Sequence, residues 1–245
     1  MIINLKNRSN FSSKFLGPIS RVSDLAIITI DDSEISSLNK TADNNTILYA
    51  KYTGITADEH NKHSLNVPDM RKLIKALDCI ESENVNLIIN QNNIEYKSTT
   101  NKFKFHLLEN GIIVPPNINI NKIESFTYDV EFKLPVTQFN NLLKSSTFIT
   151  SSDKIYIYTE DSNVLGELTD KSRHNIDSFT TIIADKYQGE DICKPIPFSF
   201  ELFRIVSTLK ARELDIKLNT SKGILSIDIE DGDNKLKYIT TSMVC

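Results

Sequence analysis

One pattern recurs along the chain and limits what it can fold into: a short amphipathic helix followed by alternating strands. Residues 65–97, LNVPDMRKLIKALDCIESENVNLIINQNNIEYK, carry it most clearly. Met70, Leu73, Ile74 and Leu77 fall at i, i+3, i+4 and i+7 and make one apolar helical face. Arg71, Lys72 and Lys75 sit roughly opposite that face. Pro68 and Asp69 suit the first turn, where a missing N–H costs nothing and a negative charge meets the helix dipole. Cys79, just past the helix, reads as a small buried hydrophobe.

Three further stretches repeat the pattern. A helix from about Pro135 would turn Val136, Phe139 and Leu143 inward and Lys144 outward, followed by strands at 155–158 and 163–168. Near Pro195, Leu202, Ile205, Val206 and Leu209 give the same spacing, with Arg204 pointing away. Leu214, Ile216 and Leu218 then alternate with Asp215 and Lys217, as a half-buried strand requires, and a second strand follows the turn at Lys222-Gly223. At the N-terminus, Phe11, Phe15, Ile19 and Val22 line one face beside Lys14 and Arg21; Gly17-Pro18 should kink or shorten that helix. Four units in 245 residues leave about 61 for each. That is too long for a simple solenoid and right for paired units forming two similar α+β domains.

The charges divide unevenly. Net charge is −4, which taken alone argues against nucleic acid. Yet the four helical segments, 6–23, 69–77, 135–149 and 199–212, carry 11 basic residues against Asp69 and Glu201, while the rest of the chain carries 17 basic and 30 acidic. Basic helices on an acidic body imply one attractive and one repulsive surface toward a polyanion.

Other classes find little support. No run of 18 apolar residues is present, so no membrane span is expected, and the N-terminus lacks the apolar region of a secretory signal. Three cysteines, widely spaced, do not suggest a disulfide framework, and a reducing cytosol is the expected setting. His60 and His63 have no cysteine or carboxylate cluster at ligand spacing, so no metal and no cofactor are expected. Phosphate-loop, dinucleotide and nucleophile-elbow motifs are absent, and seven glycines leave few places for a tight active-site loop; the chain is not expected to be an enzyme.

The order and spacing of these units resemble the sliding clamps of DNA replication, the trimeric proliferating cell nuclear antigen type and its phage counterparts. VPDMRKLIKAL at 67–77, LKYITTSM at 236–243 and the connector-like ENGIIVPPNININ at 109–121 carry the likeness. It implies a clamp domain at 1–108, a connector at 109–125, a second domain at 126–245, and a homotrimeric ring. Lys14, Arg21, Arg71, Lys72, Lys75, Lys144, Arg204 and Lys210 would face duplex DNA without reading sequence. Edge strands carrying Phe103, Phe105, Leu107 and Phe179, Thr181, Ile183 would join subunits. A DNA polymerase and a clamp-loader ATPase would dock peptides in a pocket drawing on Leu38, Ile118, Ile120, Ile123, Pro195, Met243 and Val244. The cytoplasm, a host's if the gene is phage-borne, is the implied location. Two other readings use the same pattern: a processivity subunit that does not encircle DNA, and a viral structural or assembly protein.

Overall fold

The computed structural model describes residues 1–31, 33–58, 62–149, 153–209 and 213–243. Lys210 and Val244, expected at the DNA and peptide surfaces, and His60 of the histidine pair lie outside the described residues. The chain forms two units, one of residues 1–117 and 230–236, the other of residues 118–229 and 237–245. The division at 117/118 falls inside the stretch read as a connector, and the 230–236 hairpin tip belongs to the first unit.

In the first unit the strands are β1 (Ile2–Leu5), β2 (Ala26–Asp31), β3 (Glu34–Lys40), β4 (Thr46–Tyr52), β5 (Ile55–Ala57), β6 (His63–Val67), β7 (Val85–Ile89), β8 (Asn93–Lys97) and β9 (Lys102–His106). They run β5-β1-β7-β8-β9 in one sheet and β4-β3-β2-β6 in another, all pairs antiparallel. Helical segments α1 (Arg8–Asn10), a π-helical stretch (Phe11–Leu16), α2 (Gly17–Val22) and α3 (Met70–Asp78) complete it. The second unit holds α4 (Ile120–Glu124), β10 (Val130–Pro135), α5 (Val136–Phe148), β11 (Lys154–Glu160), β12 (Asn163–Leu168), β13 (Phe179–Ala184), β14 (Tyr187–Gly189), β15 (Ile196–Ser199), α6 (Glu201–Val206), β16 (Glu213–Asn219), β17 (Ile224–Asp231) and β18 (Asn234–Thr241). Its sheets run β13-β12-β11-β15 and β14-β10-β16-β17-β18.

Each of the four sequence units is therefore a strand, a helix and three consecutive strands. The leading strand of each does not stay with its own three. β1 pairs with β7 and β6 with β2; in the second unit β10 pairs with β16 and β15 with β11. Each half thus completes its neighbour's sheet, which leaves neither half with a closed core of its own.

The apolar spacing places the helices as the residues require, with three corrections. Met70, Leu73 and Leu77 of α3 are buried, and Asp69 caps the helix by accepting the Lys72 N–H at 2.8 Å. In α5 it is Phe139 and Leu142 that are buried, while Val136 is exposed and Leu143 only half-buried. Cys79 is exposed, because the helix ends there and its thiol turns back toward the Lys75 carbonyl. Gly17-Pro18 does not break the first helix. The preceding π-helical stretch closes a wider turn, the Gly17 N–H reaching the Ser12 carbonyl, and Pro18 enters α2 at its first turn, where no N–H is needed. Phe11, Phe15, Ile19 and Val22 are buried as their spacing requires.

Candidate functional site

The basic residues of the helices separate into free and tied ones. On α3, Lys72 and Lys75 are exposed and make no ion pair among the described residues; Arg71 lies 3.6 Å from Asp24. With Pro68 and Asp69 these residues surround a shallow depression of about 470 Å³. Arg21 and Lys144 are likewise exposed and unpaired among the described residues. Lys14 is bound at 2.8 Å to Asp231, and Arg204 is held by Glu201 at 3.2 Å with its guanidinium 5.2 Å above the Phe200 ring. Arg8, counted among the basic helical residues, serves the fold. Its side chain is largely buried, pairs with Asp78 and Glu83, and also donates to the Ser82 carbonyl. Hydrogen bonds from the Ser9 hydroxyl and backbone N–H, with Arg8 nearby, hold the Glu83 carboxyl below the usual range. Nothing in the spacing of the sequence marks Arg8 as different from Lys14.

Both strands expected at subunit contacts are sheet edges, β9 in the first unit and β13 in the second. Which residues face the open side follows from hydrogen-bond parity. The Leu107 N–H bonds to Asn92 O and the Ser98 N–H to Asn101 O, both at 2.8 Å. Alternation then turns the peptide groups of Phe103 and Phe105 toward β8 and leaves those of Lys102, Lys104 and His106 open. In the second unit, Asp161 and Ser162 both have positive φ, as a two-residue hairpin turn requires, which makes Glu160/Asn163 a bonded pair. Counting on through the β12–β13 register leaves Thr180 and Ile182 facing outward. Ile182 is 46% exposed, whereas Phe105 and Ile183 are buried within their own units. Phe103, Phe105, Phe179 and Thr181 thus turn their backbone groups to their own sheets, and their immediate neighbours hold the free backbone groups.

A groove of about 320 Å³ runs along the first unit between the sheet and the connector. Leu25, Ile27, Leu38 and Lys40 form one side; residues 112–116, with Ile112, Val114 and Pro115-Pro116, form the other. Val114 is 81% exposed and Ile112 59%, which is unusual for large apolar side chains unless something covers them. Of the residues expected in a peptide pocket, Leu38 lies in this groove. Ile123 is 1% exposed and serves the second unit's core. Ile118 and Ile120 are half-buried, Pro195 is exposed, and Met243 donates its N–H to Pro197 O at 2.9 Å, all within the second unit. The groove residues that sequence reasoning missed, Ile112 and Val114, did carry a signal. With Ile113 between them they form an apolar run in a loop otherwise rich in Gly, Pro and Asn.

No protein-family model matches the chain, and no curated protein is similar to it in sequence. Its backbone is nevertheless similar, end to end, to several solved clamps. The proliferating cell nuclear antigen of A. fulgidus, solved with the C-terminal region of FEN-1, superposes with a TM-score of 0.79 at 15% identity, covering 100% of this chain and 99% of that one. The antigen of Thermococcus kodakaraensis gives 0.77 at 12% identity over 99% of both chains. A chain described as a DNA polymerase III beta subunit from Eubacterium rectale gives 0.75 at 14% identity, covering 100% of this chain and 66% of that one. The chain has the sliding-clamp fold.

Proposed function

We propose, with that fold as the premise, that the protein is a replication sliding clamp without catalytic activity: three copies close into a ring around duplex DNA and tether a polymerase to it. The observation that carries this reading is the end-to-end correspondence of the backbone with clamp chains. The open edges β9 and β13, one in each unit, support head-to-tail pairing of identical chains, which closes when the rotation between copies fits. Lys72, Lys75, Arg21 and Lys144 then supply phosphate attraction, with Arg71, Lys14, Arg204 and Lys210 as secondary contributors. Such contacts hold the duplex without stopping at any sequence, and they weaken with salt. The apolar groove beside residues 112–116 receives a partner's peptide, from the polymerase or the clamp-loader ATPase. That the A. fulgidus clamp was solved with a FEN-1 segment supports a peptide mode of docking. A cytosolic setting, a phage-infected host's included, belongs to the same reading.

The test is topological. Mass photometry at nanomolar concentration should show a species of three chains. Protein loaded on nicked circular DNA should stay bound at high salt and be lost when the circle is cut. A monomer under all conditions, or release that ignores linearisation, refutes encirclement.

A further inference from the structure

One wall of the groove is a loop, and among the described residues 113–116 make no hydrogen bond to the sheet they face. What fixes that wall lies one step earlier. Asn66 on β6 pairs across the sheet with Ile27, a residue of the groove's sheet side. Paired residues leave a sheet on the same face, so Asn66 stands beside the groove rather than in the core. It is nevertheless only 5% exposed. Burying an amide this deeply is unfavourable unless its donors and acceptors find partners. They do: Asn66 Nδ2 donates to Asn110 Oδ1 at 2.8 Å and, at 3.5 Å, to the Leu108 carbonyl, while the Asn66 carbonyl accepts the Leu108 N–H at 2.9 Å.

All three bonds end on Leu108 and Asn110, three residues and one residue before Gly111. Gly111 has φ +89°, a conformation that side chains rarely tolerate, and no atom lies within 4 Å of where a Cβ would stand. The chain therefore reverses there in open space, and its direction into Ile112 and Val114 is set by how Leu108 and Asn110 are held.

We infer that Asn66 is the positioning residue of the groove: it pins the near end of the connector so that Ile112 and Val114 face Ile27 and Leu38 at a fixed spacing. The inference rests on the reading of the groove as the peptide site. Asn66 touches no guest; it acts through Asn110 and Leu108.

The probe is a peptide selected by display against the wild-type chain and retained only if Leu38→Glu abolishes its binding. Asn66→Ala and Asn110→Ala should each weaken that peptide about tenfold, the order expected when one buried hydrogen bond is lost. Asn110→Asp keeps an acceptor for Asn66 Nδ2 and should bind within about twofold of wild type on the same scale. Hydrogen exchange should accelerate at the Leu108 and Ile112 amides in both alanine variants, with ring assembly unchanged. Asn110 is exposed, so its variants test the bond even if Asn66→Ala folds poorly. Wild-type affinity in Asn110→Ala, or equal loss in Asn110→Asp and Asn110→Ala, overturns the inference alone. If no selected peptide depends on Leu38, the groove reading falls and takes the inference with it.

Discussion

Helices α3 and α6 are written in nearly the same pattern and end up with different surfaces. Both bury residues at the spacing that the sequence announces: Met70, Leu73 and Leu77 in one, Leu202, Ile205 and Val206 in the other. But α6 also buries Phe203, which stacks on Phe200 and tilts against Phe139 at a centroid distance of 6.4 Å. With four of six residues inside, α6 has little surface left, and its one cation is occupied by Glu201 and Phe200. On α3, Asp69 is committed to the helix cap and Asp78 to Arg8, and Lys72 and Lys75 are unpaired among the described residues. An identical period fixes which side faces in. What an outward cation can reach depends on where the nearest carboxylate happens to be committed.

The comparison can be broken at several points. The largest effects should come from the buried faces. Phe203→Ala should cost about 3–5 kcal/mol and Leu73→Ala about 2–5 kcal/mol in denaturant unfolding. A small cost at Phe203 would mean that α6 is not the more deeply set helix.

Next is a difference in titration between the two helix layers. The first unit's aromatic cluster contains a tyrosine, Tyr52, with Phe11 and Phe15 at centroid distances of 5.2 and 6.1 Å. Burial, helped by the negative charge of Asp233, pushes its pKa from 10.0 up to about 12. The neutral form is thus favoured in the folded state. The resulting stability is complete below pH 10 and is lost as pH rises from 10 to 12, on the order of 2 kcal/mol in all. Tyr52→Phe should flatten stability against pH in that window, and an unchanged profile would show that another group titrates there.

The third test addresses charge. Lys72→Glu with Lys75→Glu should lower the slope of log affinity for duplex DNA against log salt by about 2, while Arg204→Glu should change it by well under 1. Equal slopes for the two variants would erase the distinction between free and tied cations. The smallest effect concerns the cap: Asp69→Ala should cost about 1 kcal/mol of stability. The residue at that position before α6 is Phe200, whose side chain makes no such bond.

Much of the fold was legible because period and burial are tied by geometry. The four helical faces and the half-buried strands around Leu214, Ile216 and Leu218 follow from side-chain period, whereas the edge positions of 102–106 and 179–184 came only with the resemblance to clamps. The misreadings arose where the outcome depended on more than the period of the segment itself. Leu142 rather than Leu143 is the buried one, at i+3 from Phe139 rather than i+4, a choice that the period alone leaves open. Pro18 was absorbed because the π-helical stretch before it shifted the hydrogen-bond register. The peptide groove was half legible: Leu38 was named, Ile112 and Val114 were not, and Asn66 left no trace because its partners lie 42 and 44 residues away.

By itself, the sequence determined that this chain repeats an amphipathic helix with alternating strands four times, and that its cations gather on the helices. Both are local properties, fixed by side-chain period and by composition within a dozen or so residues. Only the tertiary structure decided that each leading strand would cross to its neighbour's sheet, which cations would be neutralised, and how the loop beside the groove would be held. Those outcomes depend on hydrogen bonds and ion pairs between residues distant in the chain, and no local pattern encodes which distant partner will be within 3 Å.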